Sequence, residues 1–256
     1  MKVIYWPLSL LGLIAVLSAF IGFRLGWLDI RLTLAALVIG LAVGLLAGMA
    51  SLASILKSKA RYQKVDPKLI LAVLVGLSPA LMVIGSMGTS GLSKPLIHDI
   101  TTDTENPPAF QLALAERTAN DNSLEYAGEE IAIQQHNAYP GLETLTLKAK
   151  PRDVEQSIKR YIGQQGWREL RAGNDSHSSR SIEAVATTQI MRFQDDIVFR
   201  LMPSEQSTKV DIRSASRVGK GDLGANAGRI KKALNYLNSQ FPEQLEERRK
   251  EALDRD

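Results

Sequence analysis

The chain of 256 residues contains no cysteine. Disulfides, thiolate metal sites and cysteine nucleophiles are therefore excluded. No compartment follows, because a cysteine-free chain is at ease in either redox environment. Histidine is nearly as scarce. The three present, His98, His136 and His177, fall in stretches that read as loop. None stands at His-x-x-His or His-Glu-x-x-His spacing, so neither a metal site nor a cofactor is expected. Ser214 and Ser216 lack a neighbouring base and a Gly-x-Ser-x-Gly elbow. The largest absence is of charge: residues 3–23, 32–56 and 69–91 hold no Asp, Glu, Lys or Arg.

Each uncharged run is long enough to cross a hydrocarbon core of ~30 Å, which takes about 20 helical residues. Backbone groups in lipid must be satisfied internally, so such runs are expected to be helices. The expected spans are residues 4–23, 32–56 and 69–88, within a transmembrane region of residues 1–90. Trp6 and Trp27 lie near the two ends of the first run, at interfacial positions. A cleaved signal peptide is the rival reading for that run, with Lys2 as its basic start. The run is too long for one, and no small-x-small site precedes Arg24, so an uncleaved helix is expected. With no ionisable residue inside any run, a proton or ion pathway is not expected.

Residues 1–88 hold eight of the 31 Lys/Arg and two of the 27 Asp/Glu, leaving 23 and 25 for the remainder. The overall +4 therefore belongs to the apolar part, and nucleic acid is not expected as a partner of the slightly acidic rest. The connection at residues 57–68 carries five Lys/Arg and that at residues 24–31 carries two. Basic loops stay cytoplasmic. Three spans then place the N-terminus inside and all after residue 90 outside, periplasmic in a Gram-negative host. The expected location is the inner (plasma) membrane. Gly40, Gly44 and Gly48 form one small-residue stripe, suited to packing within the chain or to a homodimer.

Residues 91–110, with Pro95, Pro107 and Pro108, read as an extended tether. Residues 111–150 read mostly as loop wrapped over the domain, with a turn at Tyr139-Pro140-Gly141. A helix is expected from Asp153 on the face Val154, Ile158, Tyr161 and Ile162, ended by Gly166. Strands are expected at residues 167–172, 181–191, 196–202 and 208–215. A polar loop covers residues 174–179, and turns fall at Phe193-Gln-Asp195 and residues 203–207. A last helix starts near Asp222 with the stripe Leu223, Ala227, Ile230, Leu234, Leu237 and Phe241. Residues 243–256 are a charged tail.

The sum is an α+β soluble domain at residues 111–242, an antiparallel sheet of about four strands with helices on one face. Ile197, Phe199, Leu201, Val210 and Ile212 share the apolar face. Asp196, Arg200, Asp211 and Arg213 take the other, expected to be wet.

The densest signal is Asp211-Ile-Arg-Ser-Ala-Ser-Arg-Val-Gly-Lys-Gly-Asp-Leu-Gly-Ala-Asn-Ala-Gly-Arg-Ile230, with Phe193-Gln-Asp-Asp196 ahead of it. This resembles the signature of the domain of unknown function 1499 family: an aromatic-x-Asp-Asp turn, then Arg-Ser-x-Ser-Arg-x-Gly, Asp-x-Gly-x-Asn and Arg-Ile. The matching positions are Arg213, Ser214, Ser216, Arg217, Gly219, Asp222, Gly224, Asn226 and Arg229. Ile100-Thr-Thr-Asp103, Asn106-Pro-Pro108, Tyr139-Pro140 and Gly166-Trp167 look like further landmarks, so the resemblance covers about residues 95–240. Three preceding spans are familiar in that family, and it implies no activity.

Two uses of the motif stand beside each other. Arg213, Arg217 and Arg229, with Ser214, Ser216, Gly219 and Asn226 near a helix N-terminus, are suited to bind an anion such as a lipid headgroup, cell-wall fragment or acidic peptide. Alternatively, Asp222 caps the helix while Asp195, Asp196 and Asp211 pair with the arginines, counting Arg200, and lock the last strand to the last helix. The expected function is a binding or accessory role toward an envelope component or membrane protein. The alternative is an envelope hydrolase or transferase built on the Asp/Arg cluster of residues 195–229. Adjacent strand residues point to opposite faces, so Asp195 and Asp196 are ill placed as an acid/base pair.

Overall fold

The structure, a computed structural model, describes residues 4–87, 94–171, 181–189 and 192–241. The loop expected at residues 174–179, with His177, and the tail at residues 243–256 lie outside the described residues. The chain divides into two compact units, residues 1–93 and 94–256.

The first unit holds α1 (Tyr5–Arg24), α2 (Ile30–Ala60) and α3 (Pro67–Met87). Asp29 starts α2 by accepting hydrogen bonds from the N–H groups of Arg31 and Leu32 at 2.7 and 3.0 Å. α1 and α2 are long and apolar enough to cross a membrane. In α3 the apolar stretch of that kind is the shorter Pro67–Met82. Among the described residues two of the three expected spans therefore meet the requirement. Pro79 inside α3 has no N–H, and the Val75 carbonyl it would have reached is taken by the Ser78 hydroxyl at 3.0 Å.

α1 and α2 are built inside-out. Their buried positions are small (Ser9, Gly12, Ala19, Gly22, Thr33, Gly40, Gly44, Ala47, Gly48, Ser51 and Ser58), whereas α3 also buries Leu69. Large apolar side chains such as Leu11, Val38, Leu46, Met49 and Leu74 point outward. A Cβ on Gly12 would lie 2.7 Å from the Gly44 nitrogen, and one on Gly44 would lie 3.0 Å from the Gly76 oxygen. Backbones thus touch through glycine, and the stripe Gly40, Gly44 and Gly48 is taken up by contacts within the chain. The Ser9 hydroxyl adds a bond to the Ala72 carbonyl at 2.9 Å.

The second unit mixes helices with an antiparallel sheet. Its elements are β1 (Asp99–Thr101), α4 (Leu112–Glu116), α5 (Glu129–Ala138), β2 (Leu145–Leu147), α6 (Pro151–Gln164), β3 (Arg168–Glu169), β4 (Ser181–Thr187), β5 (Gln194–Pro203), β6 (Thr208–Ser216) and α7 (Ala225–Gln240). Among the described residues the sheet has six strands, not about four, in the order β1-β6-β5-β4-β3, with β2 also paired to β6. β1 and β2 share the outer edge of β6, pairing with residues 213–215 and 208–210. The stretch expected as a tether thus supplies an edge strand, and Ile97 and Ile100 are buried in the core.

α6 and α7 pack on one face. Val154, Ile158, Tyr161, Ile162, Ala227, Ile230 and Leu237 meet Ile197, Phe199, Leu201, Val210 and Ile212, as the spacing requires. Gly166, at φ +66°, turns the chain out of α6. Leu223 departs from the expected stripe: it precedes α7 and is exposed. His136 lies in α5 rather than a loop.

The other face is not wet. Phe110, Ala113, Leu170, Val185, Val198 and Ala215 form a second apolar cluster there. Asp196, Asp211 and Arg213 are buried beneath it. The cover is the segment carrying α4, which lacks the periodicity that would announce it. Glu183 anchors that cover. Its carboxylate accepts the N–H groups of Gln111, Leu112 and Ala113 at 2.8, 3.1 and 2.8 Å, capping α4 from across the sheet. Gln135 of α5 treats β1 as a neighbouring strand would. Its amide donates to the Thr101 carbonyl at 2.8 Å and accepts the Thr101 N–H at 3.0 Å.

Candidate functional site

The motif residues sit on β5, β6 and the start of α7, and strand alternation sorts them onto two faces. Asp195 and Asp196 belong to β5 itself rather than to a turn. Their carboxylates diverge: Asp195 meets Arg229, while Asp196 meets Arg117 and Arg217.

On the helix face, Arg229 donates to Asp195 at 2.6 Å and to the Ser214 hydroxyl at 3.1 Å, and it also contacts the Asn226 Oδ1. Fully buried Asn226 accepts from the Ser214 hydroxyl at 2.7 Å and donates to Ser216 and to the His98 carbonyl, each at 2.9 Å. One side chain therefore ties β6, the chain entering β1 and the first turn of α7 together. Asp222 does the capping expected of it, although it lies outside the helix. Its carboxylate accepts the N–H groups of Gly224 and Asn226 while Gly224 turns at φ +89°. Burial pushes the Asp222 carboxyl above its usual range, against the pull of those two N–H groups.

On the covered face, Arg213 is 3% exposed. It grips Asp99 of β1 in a two-point pair at 3.0 and 2.6 Å and donates to the carbonyls of Pro108 and Leu124. The rings of Phe110 and Tyr126 lie 5.0 and 5.6 Å from its guanidinium carbon. Burial, then the Asp99 charge, drives the Tyr126 phenol up to about 12. Arg217 grips Asp196 and reaches Gln194 and Glu116. Asp196 also accepts from Arg117 at 2.7 Å, so one fully buried carboxylate holds two cations. Arg117 in turn donates to the carbonyls of Asn122 and Ala215. Arg200 bridges Asp103 and Asp211, and Asp211 accepts the hydroxyls of Thr102 and Thr144 at 3.1 and 2.6 Å. Asp211 stands between the stretches of β6 that pair β1 and β2, so it staples both short strands at their junction. Gly219, at φ +88°, has its carbonyl held by Asn122 at 2.8 Å.

The expected pairing of Asp195, Asp196 and Asp211 with the arginines leaves Arg213 to an acid outside the motif: its partner is Asp99, 114 residues earlier in the chain. Sequence reasoning missed Asp99, Glu116, Arg117, Asn122 and Glu183. The one signal for Asp99 was its place beside the Ile100-Thr-Thr-Asp103 landmark. Among the described residues, no group of three or more His, Asp or Glu is placed to hold a metal ion.

Glu116 gives the network a measurable pH response. Two bonds from Arg168, at 2.8 and 2.6 Å, and then contact with Arg217, lower its carboxyl from 4.5 to about 2 despite burial. A folded-state pKa below the unfolded one stabilises above pH 4.5, and that stabilisation fades as pH falls toward 2. Glu116→Gln is therefore expected to flatten the acid limb of a stability–pH curve in that window. Both partners are partly exposed, so the change is small and shrinks with salt. An unchanged acid limb would contradict it.

An antiparallel sheet with α6 and α7 on one face, and arginine–carboxylate pairs buried under the other, defines the class: an α+β domain braced by internal charge pairs. The family model described as protein of unknown function (DUF1499) matches residues 99–237, just over half of the chain. The chain belongs to that family, and every braced residue from Asp99 to Arg229 falls within the match. No curated protein sequence matches the chain.

Proposed function

We propose that this is a multi-pass inner-membrane protein with a cytoplasmic N-terminus. Its α+β unit stands on the extracytoplasmic side (the periplasm, in a Gram-negative host) as a binding or accessory protein for an envelope component or membrane protein. The observation that carries the anchor is the inside-out build of α1 and α2, with glycine, serine, threonine and alanine inside and leucine, valine and methionine outside. A bundle folded in water buries its large apolar side chains, whereas a bundle in lipid gains nothing by doing so. The basic connection at residues 57–68 supports the sidedness.

Placement outside requires three crossings, because two would return the chain to the side on which it began. In favour of α3 as the third are its 21 residues, its glycine contact with α2 and the hydroxyl that satisfies Val75 beside Pro79.

Within the α+β unit, the motif is read as a brace rather than an anion site. Arg213, Arg217, Arg229, Ser214, Ser216, Gly219 and Asn226 each already hold a partner inside the unit. A hydrolase or transferase acting through Asp195, Asp196 or Asp211 would have to break a buried pair first. The placement is tested by C-terminal fusions of the full chain. Alkaline phosphatase is expected to be active and a green fluorescent protein dark, and the opposite pair of results would overturn it.

A further inference from the structure

The loops around residues 94–98 and 219–224 each expose a leucine, and nothing in the brace accounts for either. Leu96 is 70% exposed and Leu223 is 36% exposed. They belong to one surface: a Cβ on Gly221 would lie 2.9 Å from the Leu96 Cα, and the Asp222 N–H donates to the Ile97 carbonyl at 3.3 Å. Leu223 holds a left-handed backbone, φ +57°, that a leucine side chain disfavours. A glycine there would relieve the strain, and an exposed leucine returns little burial within the unit to offset it.

The rim is amphipathic. The Lys94 ammonium lies 5.0 Å from the centre of the Tyr139 ring, and Lys220 is exposed on the same loop. The acid of that loop, Asp222, turns its carboxylate inward to the N–H groups of Gly224 and Asn226. Outward-facing leucines rimmed by lysine and tyrosine are the composition of a segment lying at a bilayer interface.

We infer that Leu96 and Leu223 enter the headgroup–acyl boundary of the bilayer that holds the helices, with Lys94 and Lys220 toward the phosphates. Chain length favours lipid over any other occupant. Lys94 follows Met87, the last residue of α3, by seven residues, which reach at most about 25 Å when fully extended. The inference rests on the membrane reading above.

The absence of native cysteine makes the test clean, since each introduced cysteine is the sole label site. Full-length Leu96→Cys, Leu223→Cys, Leu114→Cys and Leu46→Cys would each carry a polarity-sensitive fluorophore. They would be reconstituted in phosphatidylcholine–phosphatidylglycerol vesicles with nitroxide lipids of shallow or deep label. The labels at 96 and 223 are expected to show blue-shifted emission and loss of intensity with the shallow nitroxide. The label at 114, an exposed position of the second unit, is expected to show neither, and the label at 46 is expected to be quenched by the deep nitroxide. Labels at 96 and 223 as wet as the one at 114, with 46 quenched, would overturn the docking alone. An unquenched 46 would overturn the membrane reading and this inference with it.

Discussion

Replacing Arg213 with alanine is expected to cost the second unit about 3–5 kcal/mol, the usual loss when one partner of a buried ion pair is removed. Arg213 and Asp99 are 3% and 5% exposed, so the abandoned carboxylate has little water to turn to. The carbonyls of Pro108 and Leu124 lose a donor as well. Domains have only 5–15 kcal/mol of stability to lose, so the variant should sit near its unfolding threshold. Amide hydrogen exchange on β1 and β6 in detergent-solubilised full chain reads this locally, which a single midpoint for a two-unit chain does not. The double change Asp99→Leu with Arg213→Met should recover most of the ion-pair loss, since removing both buried charges is often close to neutral. A single Arg213→Ala loss below about 1 kcal/mol, the scale of an exposed pair, would contradict the brace.

Asp196→Ala should be at least as damaging, again about 3–5 kcal/mol from the uncompensated charge, here with two cations left facing each other. The carboxylate is fully buried and holds both Arg117 and Arg217. Its loss should spread beyond β5, because Arg117 also ties the carbonyls of Asn122 and Ala215. Exchange protection should therefore fall in α4 and residues 117–122 as well as in β5 and β6. Loss confined to β5, with the cover segment as protected as before, would show that Asp196 does not hold the two layers together.

The pattern of which elements were legible in the sequence follows from how each is stabilised. α6 and α7 carry their instructions locally: Val154, Ile158, Tyr161 and Ile162, then Ala227, Ile230 and Leu237, recur at helical spacing and all pack on the sheet. β4, β5 and β6 are long enough to show alternation, and Arg200 faces Asp211 across β5 and β6 as parity requires. β1 and β2 have three residues each, too few for a period, and exist because β6 offers an open edge.

The expectation of a wet face failed for a related reason. Parity correctly assigned Asp196, Asp211 and Arg213 to one side, but polar side chains there did not mean solvent. The cover comes from residues 102–126, whose Phe110, Ala113 and Leu124 make single contacts rather than a stripe. The charges beneath it are satisfied by residues far away in sequence, Asp99 for Arg213 and Arg117 for Asp196. The motif's position was thus plain in the sequence. Its partners were not, because ion pairing across 114 or 79 residues leaves no local pattern.

The direct test of whether the motif arginines brace the fold or await an anion is thermal unfolding of the full chain in detergent, titrated with inorganic phosphate against chloride at matched ionic strength. With Arg213, Arg217 and Arg229 already paired, the two salts are expected to give superimposable midpoints. A saturable rise with phosphate alone, lost in Arg229→Met, is the signature of a ligand bound to the folded state and would contradict the brace.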